Sequence, residues 1–379
     1  MKVAVVGAGF AGLAAAFAAQ RAGASVTVVQ QGAGGSALYA GVVDGSLAGL
    51  QPASLGLLNE LSRALGLQLS PTCVVATREG VVRAANGADQ ALLDLAPLAG
   101  KRIGLVDVPR DDWDAPLLLR SFNESEWARA TSTSFALLPL PLLEKGHQRR
   151  VSTFDFAVGL ERAERPGWLA ELLKAHAGPD AWLFGPWLGI KQPLARELSA
   201  AAGVPVGEVT SPPGGAAGAR FELRRDALLR SLGVEQLAAR LVSVQAADSL
   251  VTLRLEGGSS VSADALVLAT GGLVSGAVEL SGSLSGAEPA GFELTIAGLP
   301  PLEMHGELGR PVSSLFGVDL ATRGRLLLER VGLAAGADGH VPGAWRVLAA
   351  GDLLAPAPPS VGHALVSGLL AGARAAQSA

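Results

Sequence analysis

The sequence predicts an α/β protein in which a parallel-sheet domain, assembled from separated stretches of chain, is interrupted by an inserted α+β cap. Three observations predict it. The first thirty residues read as strand, glycine-rich turn, helix and strand. A strand over Ala263 to Leu268 runs into the small-residue turn Ala269-Thr270-Gly271-Gly272. A third apolar strand, Trp345 to Ala350, ends in Gly351-Asp352 ahead of a helix of small residues from His363 to Ala376.

Each element has a local reason. Val3 to Val6 is a short β-branched run suited to a buried parallel strand. Gly7-Ala8-Gly9-Phe10-Ala11-Gly12 follows it, then an alanine-rich helix to Arg21, closed by Gly23. Ser25 to Val29 is the next strand. Gly7 permits a tight turn, Gly9 lets a pyrophosphate approach the backbone, and Gly12 lets helix and strand pack closely. Phe10 and Ala11 then open the helix whose N-terminus faces the phosphates. A lysine before an apolar stretch also resembles a secretory signal, but the three glycines favour strand, turn and helix. The second strand ends in Gln30, where an acidic residue is expected on the ribose hydroxyls. An uncharged amide accepts more weakly, so Gln30 reads either as a ribose contact or as a polar strand end.

Before the Ala-Thr-Gly-Gly turn, Ala239 to Gln245 and Leu250 to Glu256 read as strands of a β-meander, followed by a Gly257-Gly258 turn. The Gly-Asp pair suits a defined task. Gly351 allows close backbone approach, and Asp352 can accept a ribityl hydroxyl or can cap a turn. In this order the three motifs resemble the two-dinucleotide-fold flavoproteins, which implies a Rossmann-like FAD-binding domain. A nicotinamide dehydrogenase would not need the last element. The cofactor implied is FAD, with FMN as the alternative.

Composition sets further bounds. The chain has 379 residues, 49% of them hydrophobic, and a net charge of −4. A large core is affordable to such a chain, which excludes disorder. No basic field stands out, so nucleic acid is not an expected partner. Cys73 is the single cysteine, which excludes an internal disulfide and an iron–sulfur cluster, and it reads as a small buried hydrophobe. One cysteine fits a reducing cytoplasm. The five histidines lack ligand spacing, so no metal site is expected, and no stretch is long and apolar enough for a membrane span.

The intervening segments narrow the resemblance. Gly35-Ser36-Ala37-Leu38-Tyr39-Ala40-Gly41-Val42-Val43-Asp44, Thr77 to Arg83, Lys101 to Val108, Asp111 to Ala115, Phe184 to Ile190, Glu208 to Pro213 and Gly218 to Phe221 occur in the order seen in the B subunit of anaerobic glycerol-3-phosphate dehydrogenase. The chain resembles that family over roughly Met1 to Ala371. The resemblance implies a membrane-peripheral complex that oxidises sn-glycerol 3-phosphate to dihydroxyacetone phosphate and sends electrons towards quinone. It implies a catalytic A-type flavoprotein and an iron–sulfur C-type subunit as partners. It extends the cofactor contacts to Gly35, Ser36 and Gly41, to Val242 on the meander, and to Gly362 and His363 before the last helix. Two departures stand out. Pro356 to Gly362 is proline-rich where the family has glycine, and Tyr39 stands where the family often has histidine.

The expected domains are 1–70, 215–280 and 331–379 for FAD binding, with 71–214 and 281–330 as the cap and Pro212-Pro213-Gly214-Gly215 as the clearest linker. Trp113, Trp127, Trp168, Trp182 and Trp187 fall in the cap, as core or as a ligand surface. Glu144 to Arg150 could grip a phosphate or form a solvated loop. Oxidising an alcohol through flavin needs a base. His363 and His305 are the candidates, each with a structural alternative. Three functions stay open: a flavin subunit of a glycerol-3-phosphate dehydrogenase complex, a self-sufficient FAD oxidoreductase of another small substrate, and a non-catalytic flavin-binding scaffold.

Overall fold

In a computed structural model the chain divides into two compact units, one of residues 1–36, 45–61 and 225–379, the other of residues 37–44 and 62–224. The structure describes all residues except 48–49, 144–145, 163, 177, 192–193, 248, 282–290, 295, 300–303, 306–330, 337–338, 356–358 and 378–379.

The first unit is built on β1 (Lys2–Val6), α1 (Phe10–Arg21) and β2 (Ser25–Gln30). β1 pairs in parallel with β2 on one side and with Ala265–Leu268 on the other. The strand Ala344–Ala349 continues the sheet beyond Ala265–Leu268, again in parallel, and His340–Val341 closes that edge antiparallel. Glu235–Ala238 adds a parallel strand outside β2, which the sequence reading did not anticipate. The parallel order, with α1 fully buried over Phe10–Ala19, is the Rossmann-like α/β arrangement. The meander is present as a separate antiparallel sheet of Leu241–Ala246, Val251–Leu255 and Ser260–Ala263. Its inward residues Leu241, Val244, Val251 and Leu253 share a core with Ala4, Val6 and Val29.

The C-terminal helix, Val361–Ala375, lies along α1. Small residues allow it: a Cβ added at Gly368 or Gly372 would run into the carbonyl of Ala11 or Ala15. Gly368 and Gly372 form a G-x-x-x-G pair on one helix face, so the backbones approach closely.

The second unit joins a hairpin, Leu67–Ala76 with Val82–Asp89, to a four-stranded parallel sheet. That sheet has the order Ser134–Pro139, Arg102–Asp107, Ala181–Phe184, Val206–Glu208. Trp113, Trp182 and Trp187 are core residues there, whereas Trp168 is exposed and lies against Arg165. Cys73 is buried, and burial pushes its thiol up to about 12, as a structural hydrophobe requires.

The expected boundaries shift. The break falls at Arg224/Arg225 inside the helix Ala216–Ser231, not at the Pro212–Gly215 linker, and residues 37–44 belong to the second unit. Of the stretch 281–330 assigned to the cap, the described strands Gly291–Leu294 and Met304–His305 pair with Val278–Ser281 and Gly332–Ala334 of the first unit. Residues 306–330 lie outside the described residues.

Candidate functional site

Strand–turn junctions at the carboxyl edge of the first unit's sheet bring the three motifs together. Gly7 has a φ of +103°, and a Cβ on it would strike the Ala269 carbonyl. Only glycine accepts both the left-handed φ and that contact. Gly12 sits against the Gly7 carbonyl and the Ala269 side chain. Gly272 meets the third motif, since a Cβ there would lie 2.7 Å from the Asp352 carbonyl oxygen. A Cβ on Gly351, with φ of +73°, would lie 2.7 Å from the Ala11 side chain. Backbone contacts thus lock the glycine turn, the Ala269-Thr270-Gly271-Gly272 turn and the Gly351-Asp352 turn to one another.

Gly9 differs from its neighbours. It caps α1 with φ of −71°, a conformation open to any residue, and a Cβ there would meet only the Ser36 hydroxyl at 2.7 Å. The obstacle at Gly9 is therefore a single side chain, where Gly7 and Gly12 meet backbone. The Ser36 hydroxyl accepts from the Phe10 N–H at 3.1 Å. The first turn of α1 carries no acidic residue, so its dipole is available to an anion. Gln30 ends β2 beside this turn, since Gly7 N–H donates to the Val29 carbonyl at 2.8 Å. Gly35 opens the short helix Gly35–Leu38 that carries Ser36.

At the third turn, Gly351 N–H donates to Ser367 Oγ at 2.9 Å, and Ser367 Oγ donates to the His363 carbonyl at 2.7 Å. Ser360 caps the C-terminal helix by accepting from His363 N–H at 3.2 Å. Gly362 is buried in that first helical turn. Burial raises the Asp352 carboxyl, while His363 and the Ser360 backbone pull it down. Burial lowers His363, against the pull of Asp352 and of the Gly351 carbonyl. Thr270 Oγ1, Asp352 Oδ1 and His363 Nε2 are buried with no hydrogen-bond partner.

Such orphaned atoms fit a group rich in hydroxyls, because a bound polyol chain would satisfy them. Together with the side-chain-only obstacle at Gly9 and the first turn of α1, which carries no acidic residue, they fit a dinucleotide carrying a ribityl chain. Gly9, Phe10 and Ala11 would then hold the pyrophosphate, Gln30 the ribose, and Thr270, Asp352 and His363 the ribityl end.

Some expected residues lie elsewhere. Gly41 belongs to the second unit, and its φ of +100° and close contact with Leu92 give it a packing role there. Val242 is exposed on the meander with its carbonyl taken by Ala297 N–H, and no described contact joins it to the three turns. His305 ends the two-residue strand Met304–His305; its side chain and Pro356-Ala357-Pro358 lie outside the described residues. Of the polar run at 144–150, Arg149 and Arg150 are exposed and paired with Asp111, as in a solvated loop. Sequence reasoning missed Ser367, which ties the Gly351 turn to the C-terminal helix, Ser275, which closes the Thr270-Gly271-Gly272 turn on itself, and Gly45, where a Cβ would strike the Ser360 hydroxyl. Lone serines carry no spacing signal; Gly368 and Gly372 do.

The second unit holds a buried ionic cluster. Arg220 pairs with Asp89 at 3.1 Å and Glu208 at 2.8 Å, and Arg224 pairs with Asp89 at 2.9 Å. Glu208 also accepts from Leu188 N–H, and Arg220 donates to the Gly189 carbonyl at 2.7 Å. Burial pushes Glu208 up to about 7. Glu208 and Arg220 lie in two of the segments on which the family resemblance rests.

Residues 2–56 match the family model described as the FAD binding domain. No curated protein sequence matches the chain. Among solved structures, it is 14% identical to Klebsiella pneumoniae HpxO complexed with FAD and uric acid, over 72% of this chain and 39% of that one, with a TM-score of 0.27. It is 14% identical to AlpK over 97% of this chain and 59% of that one, at a TM-score of 0.35. For the Diels-Alderase PyrE3 of pyrroindomycin biosynthesis the figures are 14%, 97%, 63% and 0.33. The chain spans less than two thirds of each of these proteins. The match over β1, α1 and β2 makes FAD the cofactor. Among the described residues, no group of side chains could hold a metal ion, and no helix is long and apolar enough to cross a membrane.

Proposed function

We propose that this FAD-binding chain is an oxidoreductase, a dehydrogenase of the glycerol-3-phosphate type, working as the B-type subunit of a membrane-peripheral complex. The junction of the three turns around Thr270, Asp352 and His363 carries the flavin half of the reading. The order of the segments from Gly35 to Phe221 supports the substrate half. FAD supplies a two-electron acceptor. The chain's own residues would orient it: the α1 N-terminus would hold its phosphates, Asp352 would accept a hydroxyl, and the start of the C-terminal helix would offer its positive end to the ring.

A flavin-holding subunit without its own turnover is the second reading. It is favoured by the two described titratable side chains at the three turns, Asp352 and His363, both belonging to the cofactor cluster. In either case the electrons leave to a partner, proposed as an A-type flavoprotein or a Cys-rich C-type subunit, since one cysteine cannot hold a cluster.

The experiment is purification, an absorption spectrum with flavin extraction, and assay with sn-glycerol 3-phosphate and an artificial acceptor. Bound FAD with slow turnover that rises on adding the partner subunits is the expected result. A colourless protein that neither FAD nor FMN reconstitutes overturns the flavin assignment. Rapid turnover of an unrelated substrate by the lone chain overturns the glycerol-phosphate one.

A further inference from the structure

The sharpest chemical signal in the first unit is the pairing of two orphaned atoms, Asp352 Oδ1 and His363 Nε2. The His363 ring leans on the Gly351 carbonyl. With Nε2 unpartnered, the nitrogen turned to that carbonyl is Nδ1, which must carry the proton to donate. A neutral imidazole protonated at Nδ1 leaves Nε2 as an acceptor. Asp352 Oδ1 is an acceptor too. The pair therefore presents two adjacent acceptors and suits a ligand that brings hydroxyl or N–H donors.

The surroundings favour the neutral ring. His363 stands in the first turn of the C-terminal helix, where the helix dipole disfavours a cation. The α1 face packed on that helix contributes Ala11, Ala14 and Ala15. Gly45, beside Ser360 and the His363 amide, is uncharged. The strand Ala344–Ala349 carries Arg346, whose guanidinium donates to the Asp264 carbonyl before the start of Ala265–Leu268, at the opposite end of the sheet from Thr270. Asp352, on the Gly351–Leu353 turn, is the charge that acts on the ring.

We propose that His363 binds the cofactor through Nε2 as a hydrogen-bond acceptor, so that the unit holds FAD while the imidazole is neutral and lets it go when the ring takes up a proton. This rests on the FAD reading and adds to it a positioning residue and a pH-dependent affinity. The sign follows from linkage. A ligand that binds the neutral ring lowers the ring's pKa further, so its dissociation constant rises as pH falls through the free-state value, by up to tenfold per pH unit. Asp352, raised by burial, loses its acceptor on further acidification and steepens the loss.

The test is titration of the full-length apoprotein with FAD, followed by flavin fluorescence, from pH 8 to pH 5. Wild type, His363→Gln and His363→Leu are compared, with circular dichroism confirming that each is folded. The glutamine amide oxygen accepts at every pH. Wild type is expected to weaken on acidification, His363→Gln to keep its affinity to a lower pH, and His363→Leu to be weaker than wild type at pH 8. Superimposable wild-type and His363→Gln curves overturn the proposal. So does a His363→Leu variant with wild-type affinity at pH 8. In both cases the FAD reading survives, whereas failure of wild type to bind FAD at pH 8 overturns the two together.

Discussion

Gly368 of the C-terminal helix lies so close to the Ala11 carbonyl of α1 that no Cβ fits between them. Ala14 crowds the same spot, its Cβ 2.9 Å from where the new Cβ would stand. The obstacle is backbone, which cannot rotate away. Gly368→Ala should therefore lower stability by roughly 1–3 kcal/mol through overpacking. Gly56, in the helix Pro52–Leu65, has open space around its Cβ position, and Gly56→Ala should raise stability by about 0.5–1 kcal/mol. Urea unfolding of the two variants checks this; equal effects would mean that α1 and the C-terminal helix do not pack as described.

Gly7 and Gly9 should fail in different ways. Gly7 has a positive φ and a packed Cβ position, so Gly7→Ala should reduce stability and leave little folded protein. Gly9 has an ordinary φ and meets only the Ser36 side chain. Gly9→Val should fold, yet lose FAD binding, because its branched side chain fills the space left for the pyrophosphate. Thermal melts of the apoproteins and FAD titration separate the two outcomes. Tight FAD binding by folded Gly9→Val would remove the proposed phosphate site.

These contrasts show what the sequence made legible. The spacing of Gly7, Gly9 and Gly12, the strand before Gly351-Asp352 and the meander were readable because each is local and periodic. The parallel strand Glu235–Ala238 was not, since its four residues alternate weakly and owe their state to pairing with β2. Asp89, Glu208 and Arg220 could not be paired from sequence either. They are 119 and 131 residues apart along the chain, counting from Asp89 to Glu208 and to Arg220, and become partners only when the hairpin and the parallel sheet fold together. Gly41 shows the same limit, because a glycine packed against Leu92 looks, in sequence, like one needed against a cofactor.

The Glu208–Arg220 pair should set a pH dependence of stability. Burial pushes the Glu208 carboxyl up to about 7, from an ordinary value of 4.5. Between those values the folded chain binds the extra proton, so this contribution is full below about pH 4.5 and is lost as pH rises through about 7. Glu208→Gln should flatten that decline, which amounts to about 3 kcal/mol over the whole window. Arg220→Met leaves the buried Glu208 carboxylate without its ion partner and Asp89 with Arg224 alone, and should destabilise by about 3–5 kcal/mol at pH 7.5. Urea unfolding at pH 5 and 7.5 measures both. Parallel pH slopes for wild type and Glu208→Gln would show that Glu208 stays ionised throughout.

Asp352 should trade stability for binding. Its carboxyl is raised by burial, so the folded apoprotein gains from protonating it, and its contribution to stability declines as pH rises through the raised value. Oδ1 has no partner to offset that burial. Asp352→Asn, which carries no charge to desolvate, should therefore make the apoprotein at least as stable as wild type at pH 7.5. The same loss of charge weakens an acceptor that the ribityl hydroxyl would use. Asp352→Ala should weaken FAD binding by on the order of 1.5–3 kcal/mol, one charge-assisted hydrogen bond, and Asp352→Asn by less because its amide oxygen still accepts. Apoprotein melts beside FAD titrations give both quantities on the same samples. A variant that loses stability and keeps its FAD affinity would make Asp352 a structural turn residue and move the ribityl contact elsewhere.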